Sequence, residues 1–232
     1  MRYKSLLAAT ALLASGLAFG TPAEAAPAST QKLPECKPAV PAKLVMRRRT
    51  TVYTVGLGAS CPSTLYNADW KGIKPGDPEQ TKLEYLNGDH FAQLELSAFV
   101  SPIGAVTWTP TSTYGTDSEG DDVAVLKSVP SVTKYASSAT VSGKRVGGTT
   151  TVVATVGYYN PKVNAFVRWP SKTVTLQYKV PGSTKWLYLR KVTTNKVGQA
   201  AFTWTPKATR YYRAVVPTNT TIWDFTTAAI SK

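Results

Sequence analysis

Alternation of apolar and polar residues with a period of two, and never a helical one, is what most limits the folds open to this chain. Over residues 149–157, Val152, Ala154 and Val156 alternate with Thr151, Val153 and Thr155, with β-branched residues dominating both sets. Over residues 172–180 the same pattern places Val174, Leu176 and Tyr178 on one face and Thr173, Thr175, Gln177 and Lys179 on the other. Further strands are predicted at 135–142, 186–192, 199–205, 210–216 and 222–230. Turn formers separate them: Gly147-Gly148, Pro181-Gly182-Ser183, Asn195 to Gly198, and Pro217-Thr218-Asn219. Seven short strands so spaced predict an all-β fold, with an antiparallel sandwich over the last part of the chain.

The N-terminus sets the compartment. Arg2 and Lys4 precede an apolar run from Leu6 to Phe19, and Ala23-Glu24-Ala25 offers small residues where a signal peptidase reads. A signal peptide over residues 1–25, cut after Ala25, is expected, with an alanine-rich character of bacterial type. It has no twin arginine and no cysteine directly after the cut, and no later stretch is apolar enough to span a membrane as a helix. The expected location is extracellular, free or held at the cell wall by non-covalent contacts.

The remaining length suits two domains. Ala105-Val106-Thr107-Trp108-Thr109-Pro110 recurs as Ala201-Phe202-Thr203-Trp204-Thr205-Pro206, and Leu83-Glu84-Tyr85 recurs as Leu176-Gln177-Tyr178. The offset drifts from 93 to 96, which predicts two copies of one domain plan with loops of unequal length. The expected division is 26–130 and 131–232, joined near 127–134, where Pro130 limits the backbone. The segment from Val174 to Tyr178, then Trp186, Leu189, Gly198, Ala200, Phe202 and Arg210-Tyr211-Tyr212-Arg213, resembles immunoglobulin-like domains of secreted actinobacterial proteins. The first copy matches less completely, with Tyr114-Gly115-Thr116-Asp117 in place of Arg210 to Arg213. The resemblance implies two tandem immunoglobulin-like antiparallel β-sandwiches after the cleaved leader. It implies a structural post for the tyrosine pair Tyr211 and Tyr212, with a hydroxyl bonded to backbone. It leaves function open, because such modules serve adhesion, spacing and ligand binding alike.

Charge is segregated along the chain. Residues 131–232 hold fifteen Lys and Arg against one acid, Asp224, whereas 26–130 hold ten basic and eleven acidic residues. The net +14 therefore comes almost wholly from the C-terminal part and predicts an anionic partner. The expected partners are an anionic wall polymer, an acidic polysaccharide or another anionic surface. The candidate contacts are Lys144, Arg145, Lys162, Arg168, Lys179, Arg190, Lys191 and Arg213. Arg47-Arg48-Arg49 either extends this surface or protects a strand edge. Tyr158, Tyr159, Phe166 and Trp169 crowd one connection and form either an aromatic platform for sugars or bases, or a cap on the core.

No catalytic constellation accompanies the charge. The single histidine, His90, sits in a turn with no nucleophile motif to serve. Ser131-Val132-Thr133-Lys134 matches S-x-x-K, but on a predicted strand and without its companion motifs. The acidic loop Asp117, Glu119, Asp121 and Asp122 offers oxygens around Gly120, and its readings are calcium, docking against the basic domain, or plain solvation. No other cofactor is expected. Cys36 and Cys61 are expected to pair as a structural disulfide. The reading is a non-enzymatic binding or structural protein attached electrostatically through its basic domain. The alternatives are a protein-interaction module, a hydrolase inhibitor, or carbohydrate binding through the loop aromatics.

Overall fold

The computed structural model describes residues 32–73, 81–101 and 103–232; the expected leader at 1–25 lies outside them. No helix among the described residues is long and apolar enough to cross a membrane. The first ten strands are β1 (Glu35–Cys36), β2 (Lys43–Met46), β3 (Thr50–Gly56), β4 (Ala68–Ile73), β5 (Thr81–Tyr85), β6 (Phe91–Ser97), β7 (Gly104–Pro110), β8 (Tyr114–Thr116), β9 (Asp122–Leu126) and β10 (Val129–Tyr135). They form a sheet of order β2-β10-β7-β4-β5 facing the β3-β6 pair, with a small β1-β9-β8 sheet at one side. Between the faces lie Leu44, Met46, Trp70, Leu83, Tyr85, Leu94 and Trp108, each fully buried.

Buried aromatics in this core keep their polar ends bonded, as burial demands. The Trp108 indole donates to Ser131 Oγ at 2.9 Å, and the Trp70 indole donates to the Lys127 carbonyl at 3.0 Å. The Tyr85 hydroxyl crosses from one face to the other and donates to the Val55 carbonyl at 3.1 Å. Gly72 lies opposite Trp108 in the ladder, and a Cβ there would stand 2.9 Å from the indole. The Cys36–Cys61 disulfide ties β1 to the loop before β4.

The remaining strands are β11 (Ser137–Val146), β12 (Thr149–Asn160), β13 (Ala165–Arg168), β14 (Thr173–Lys179), β15 (Leu187–Thr193), β16 (Gln199–Trp204), β17 (Tyr211–Val216), β18 (Phe225–Thr226) and β19 (Ile230–Ser231). One turn of 3-10 helix, Pro161–Val163, precedes β13. One sheet pairs β11, β16 and β13 with β12; the other runs β15-β14-β17, with β18 and β19 on the outer edge of β17. Both sandwiches place the strands in immunoglobulin-like order, so the fold is all-β and antiparallel; among the described residues, the parallel ladders are those of β1 with β9 and of β2 with β10. Val152, Ala154, Val156, Val174 and Leu176 are fully buried, as the period of two predicts, and Tyr212, Ala214 and Val216 complete this core. The sequence pattern misses β13, a four-residue strand. It also predicts one strand at 222–230 where the chain forms only the short β18 and β19, because Trp223 turns away to bond the first sandwich.

Two sequence expectations are corrected by the strand order. The Thr-Trp-Thr-Pro segment of the first sandwich lies on β7, between β4 and β10, whereas that of the second begins on β16, paired to β12 alone. Likewise Leu83 and Tyr85 lie on edge strand β5, but Leu176 and Tyr178 on central β14. Similar strings fit similar local demands, a tryptophan on a half-buried strand, at places that do not correspond. The joint expected near 127–134 is strand β10, paired to β7 and, along Val132–Tyr135, to β2; the sheets change at Ala136.

That change of sheet is tightly bonded. Ala136 is buried in the first core, and its carbonyl accepts from the Tyr159 N–H at 2.8 Å. Tyr159, from β12, is itself 1% exposed within the first core. The Trp223 indole donates to the Leu44 carbonyl at 2.7 Å, and its backbone N–H donates to the Tyr135 carbonyl at 2.9 Å. Ser137 Oγ donates to the Trp223 carbonyl at 2.6 Å. We expect Trp223→Ala to cost about 3 kcal/mol and to split a single calorimetric transition into two. Replacing both Cys36 and Cys61 by Ala should cost about 3.5 kcal/mol for the 25-residue separation, read as a lower denaturant midpoint.

Candidate functional site

Strands β15, β14 and β17 carry their inward residues into the second core, so the alternate positions form an outer face. The registers set these positions in rows. Tyr188, Gln177 and Arg213 lie side by side across the three strands, and Lys191, Thr175 and Val215 form another such row. Lys179 pairs with Tyr211, and Trp186, just before β15, reaches the same row. One sheet face thus carries Trp186, Tyr188 and Tyr211 together with Lys179, Lys191 and Arg213, and, among the described residues, no carboxylate.

Close packing holds this array in place. The Arg213 guanidinium stands 4.2 Å from the Trp186 ring centre and donates through Nε to Gln177 Oε1 at 2.7 Å. Lys179 Nζ lies 5.3 Å from Trp186 and 5.4 Å from Tyr211. The Tyr188 hydroxyl accepts the Lys191 N–H at 3.0 Å while the residue stays 61% exposed. Desolvation by burial lowers the Arg213 pKa, yet a guanidinium remains protonated in proteins. Aromatic faces therefore supply the negative potential that carboxylates would otherwise supply, and they leave the positive charge uncancelled.

Of the eight basic residues singled out in the sequence, Lys179, Lys191 and Arg213 meet on this face, while the others lie apart. Arg190 leans over Phe202 at 5.8 Å, along the side of the core. Lys144 and Arg145 lie near the end of β11, and Arg145 Nη2 donates to the Pro206 carbonyl at 3.3 Å. Lys162 and Arg168 belong to the turn and strand around β13. Sequence alone points to no binding role for Trp186, Tyr188 and Tyr211. Their alternation with Lys179 and Arg213 across a sheet becomes visible only with the register.

The expected aromatic platform is divided by the pleat of β12 instead. Tyr158 faces Trp169 at 5.4 Å, and Trp169 packs on the second core with Lys172 Nζ 4.2 Å above its ring. Tyr159 points the other way, packing at 6.1 Å from Tyr135 and 6.0 Å from Phe166. Only Phe166 of the four is exposed. Tyr212 is a buried post, but its hydroxyl accepts from the Trp204 indole at 3.2 Å where a backbone bond was expected.

The other residues singled out in the sequence lie in local hydrogen-bond networks. Asp117 Oδ1 accepts the N–H groups of Glu119 at 2.9 Å and Asp121 at 3.0 Å, so this carboxylate shapes its own loop. Among the described residues no three His, Cys, Asp or Glu side chains, those of Asp117, Glu119, Asp121 and Asp122 included, gather as a metal-holding group. Ser131 and Lys134 are three apart on a strand and hence on opposite faces: Ser131 is buried against Trp108, and Lys134 donates to Thr218 Oγ1 at 3.1 Å. His90 closes the β5–β6 turn, where its carbonyl accepts the Leu57 N–H at 3.1 Å.

No protein-family model matches the chain, and no curated protein matches it. Among solved structures it is similar to bovine butyrophilin, at 10% identity and a TM-score of 0.34, over 86% of this chain and 98% of that one. A tetra-tandem repeat from the extending region of a large adhesion protein aligns at 10% identity and a TM-score of 0.31; 86% of this chain covers 48% of it, so the chain spans about half its length. The D00-D0 domain of intimin aligns at 13% identity and a TM-score of 0.28, over 84% and 98% of the two chains.

The one acid of the second sandwich is spent on the first. Asp224 Oδ1 accepts from Lys43 Nζ at 2.7 Å, and this hydrogen bond holds the Asp224 carboxyl below the usual carboxylate range against the opposing effect of desolvation. A depressed folded-state pKa contributes stability above the unfolded value of about 3.9, and that contribution fades as pH falls through the folded value. We expect acidification from pH 5 to pH 3 to weaken the junction, and Asp224→Asn to remove this component of the acid sensitivity, as read by melting temperature against pH.

Proposed function

We propose that this is a non-catalytic extracellular binding protein, whose second sandwich attaches to an anionic polymer of the cell wall or another surface through the outer face of β15, β14 and β17. The observation that carries the reading is an ordered array of three cations and three aromatics with no carboxylate among the described residues. Phosphates or carboxylates spaced along a polymer would meet Lys179, Lys191 and Arg213 in turn, and flat sugar or base rings would lie on Tyr188 and Trp186. The Cys36–Cys61 disulfide supports an oxidising, extracellular setting. A protein-interaction role would instead persist in salt, because mixed interfaces depend less on counterion release.

Binding of the full chain to polyphosphate of defined length should weaken steeply with salt. The triple substitution Lys179→Gln, Lys191→Gln, Arg213→Gln should lower the slope of log affinity against log salt by about 2 to 3. Trp186→Ala should weaken binding about tenfold with a smaller change in slope. Lys144→Gln with Lys196→Gln should leave both quantities nearly unchanged. An unaltered slope in the folded triple variant rejects the face as the attachment site.

A further inference from the structure

The other sheet of the second sandwich bears a separate hollow. A cleft of about 390 Å³ at the meeting of the two sandwiches is lined by Trp223, Phe225, Phe166, Arg47 and Ser138, with the Lys43–Asp224 pair on its wall. A second cleft of about 530 Å³, lined by Thr140, Thr155, Gly157 and Arg168, shares Ser138 and Phe166 with the first. The two adjoin across Ser138 and Phe166, and together are called a trough of two compartments. Each compartment lies in the size range of small-ligand sites.

The chemistry of the lining narrows the occupant. Ser138 pairs with Gly157, Thr140 with Thr155, and Gly157 with Arg168, so these residues lie on the outer face of β11, β12 and β13, and the backbone of β12, at the middle of that face, is laddered on both sides. A peptide adding to a sheet needs free backbone at an edge; this face offers side-chain hydroxyls instead. Gly157 keeps the floor flat, since a Cβ there would come within 2.9 Å of Ser138 Oγ and 2.8 Å of the Val167 carbonyl. Phe166, 47% exposed, presents an aromatic surface to whatever enters. Each compartment holds a guanidinium that has no ion-pair partner among the described residues, Arg47 in one and Arg168 in the other, whereas the carboxylate of Asp224 is taken by Lys43. Hydroxyls, an aromatic ridge and two spaced carboxylate-binding forks complement a polyhydroxylated chain bearing acids.

We propose that this trough is a second binding site, for an acidic oligosaccharide, with sugar rings against Phe166 and carboxylates on Arg47 and Arg168. It is distinct from the polymer-binding face of β15, β14 and β17 and stands or falls independently of it.

The test is calorimetric titration of the full chain with tetragalacturonate, with neutral maltotetraose and with tetraglutamate. Tetragalacturonate should bind at least tenfold more tightly than either of the others. Arg168→Gln, Arg47→Gln and Phe166→Ala should each weaken it about tenfold, and Ser138→Trp, which fills the trough from β11, should abolish it. The Lys179, Lys191, Arg213 triple variant should bind it nearly as well as the parent. Absence of binding, equal binding of the neutral sugar, equal or tighter binding of the peptide, or loss confined to the triple variant would each overturn the proposal.

Discussion

The pleat of β12 organises the whole molecule. Val152, Ala154 and Val156 point into the second core, and three residues beyond Val156 the same strand turns Tyr159 outward into the first. One strand thus belongs to two cores. With Ala136 buried beside it and β10 running almost directly into β11, no free linker separates the sandwiches. Trp223 closes the other side of the joint, its indole on the Leu44 carbonyl and its ring 4.4 Å from Lys43 Nζ and 4.8 Å from Lys134 Nζ. The compartment that holds Arg47 exists because of this joint, since Arg47 comes from one sandwich and Phe166 from the other.

Charge segregation has a structural corollary. The ion pairs among the described residues are Lys43–Asp224, Lys82–Glu84 and Lys127–Glu35, so the second sandwich contains none of its own. Its cohesion comes from apolar burial, ladder bonds and cations laid on aromatic rings: Lys172 on Trp169, Arg190 on Phe202, Arg213 on Trp186. Rings of this kind order a cation without discharging it. A surface built so keeps a long-range positive potential and gives it fixed geometry.

Much of the fold was legible because strand patterning is local. The buried set Val152, Ala154, Val156, Val174 and Leu176 follows from alternation alone, and the Cys36–Cys61 bond from cysteine number and expected compartment. Less was legible where identity depends on the neighbouring strand. The Thr-Trp-Thr-Pro strings invited a correspondence that the ladders refute, because a local string encodes burial and not its place in the sheet order. Neighbours in sequence also parted: Tyr158 and Tyr159 went to opposite faces of β12, while Arg213, well beyond them in the chain, came to Lys179 and Trp186.

By itself, then, the sequence determined an all-β chain, the inward face of its principal strands, and a basic C-terminal half. These depend on side-chain period and composition, which need no partner to be read. The tertiary structure alone decided which cations converge, which aromatics remain exposed, and that one strand is shared by two cores. Those outcomes depend on register and sheet order, and each is set by contacts between residues that the chain keeps far apart.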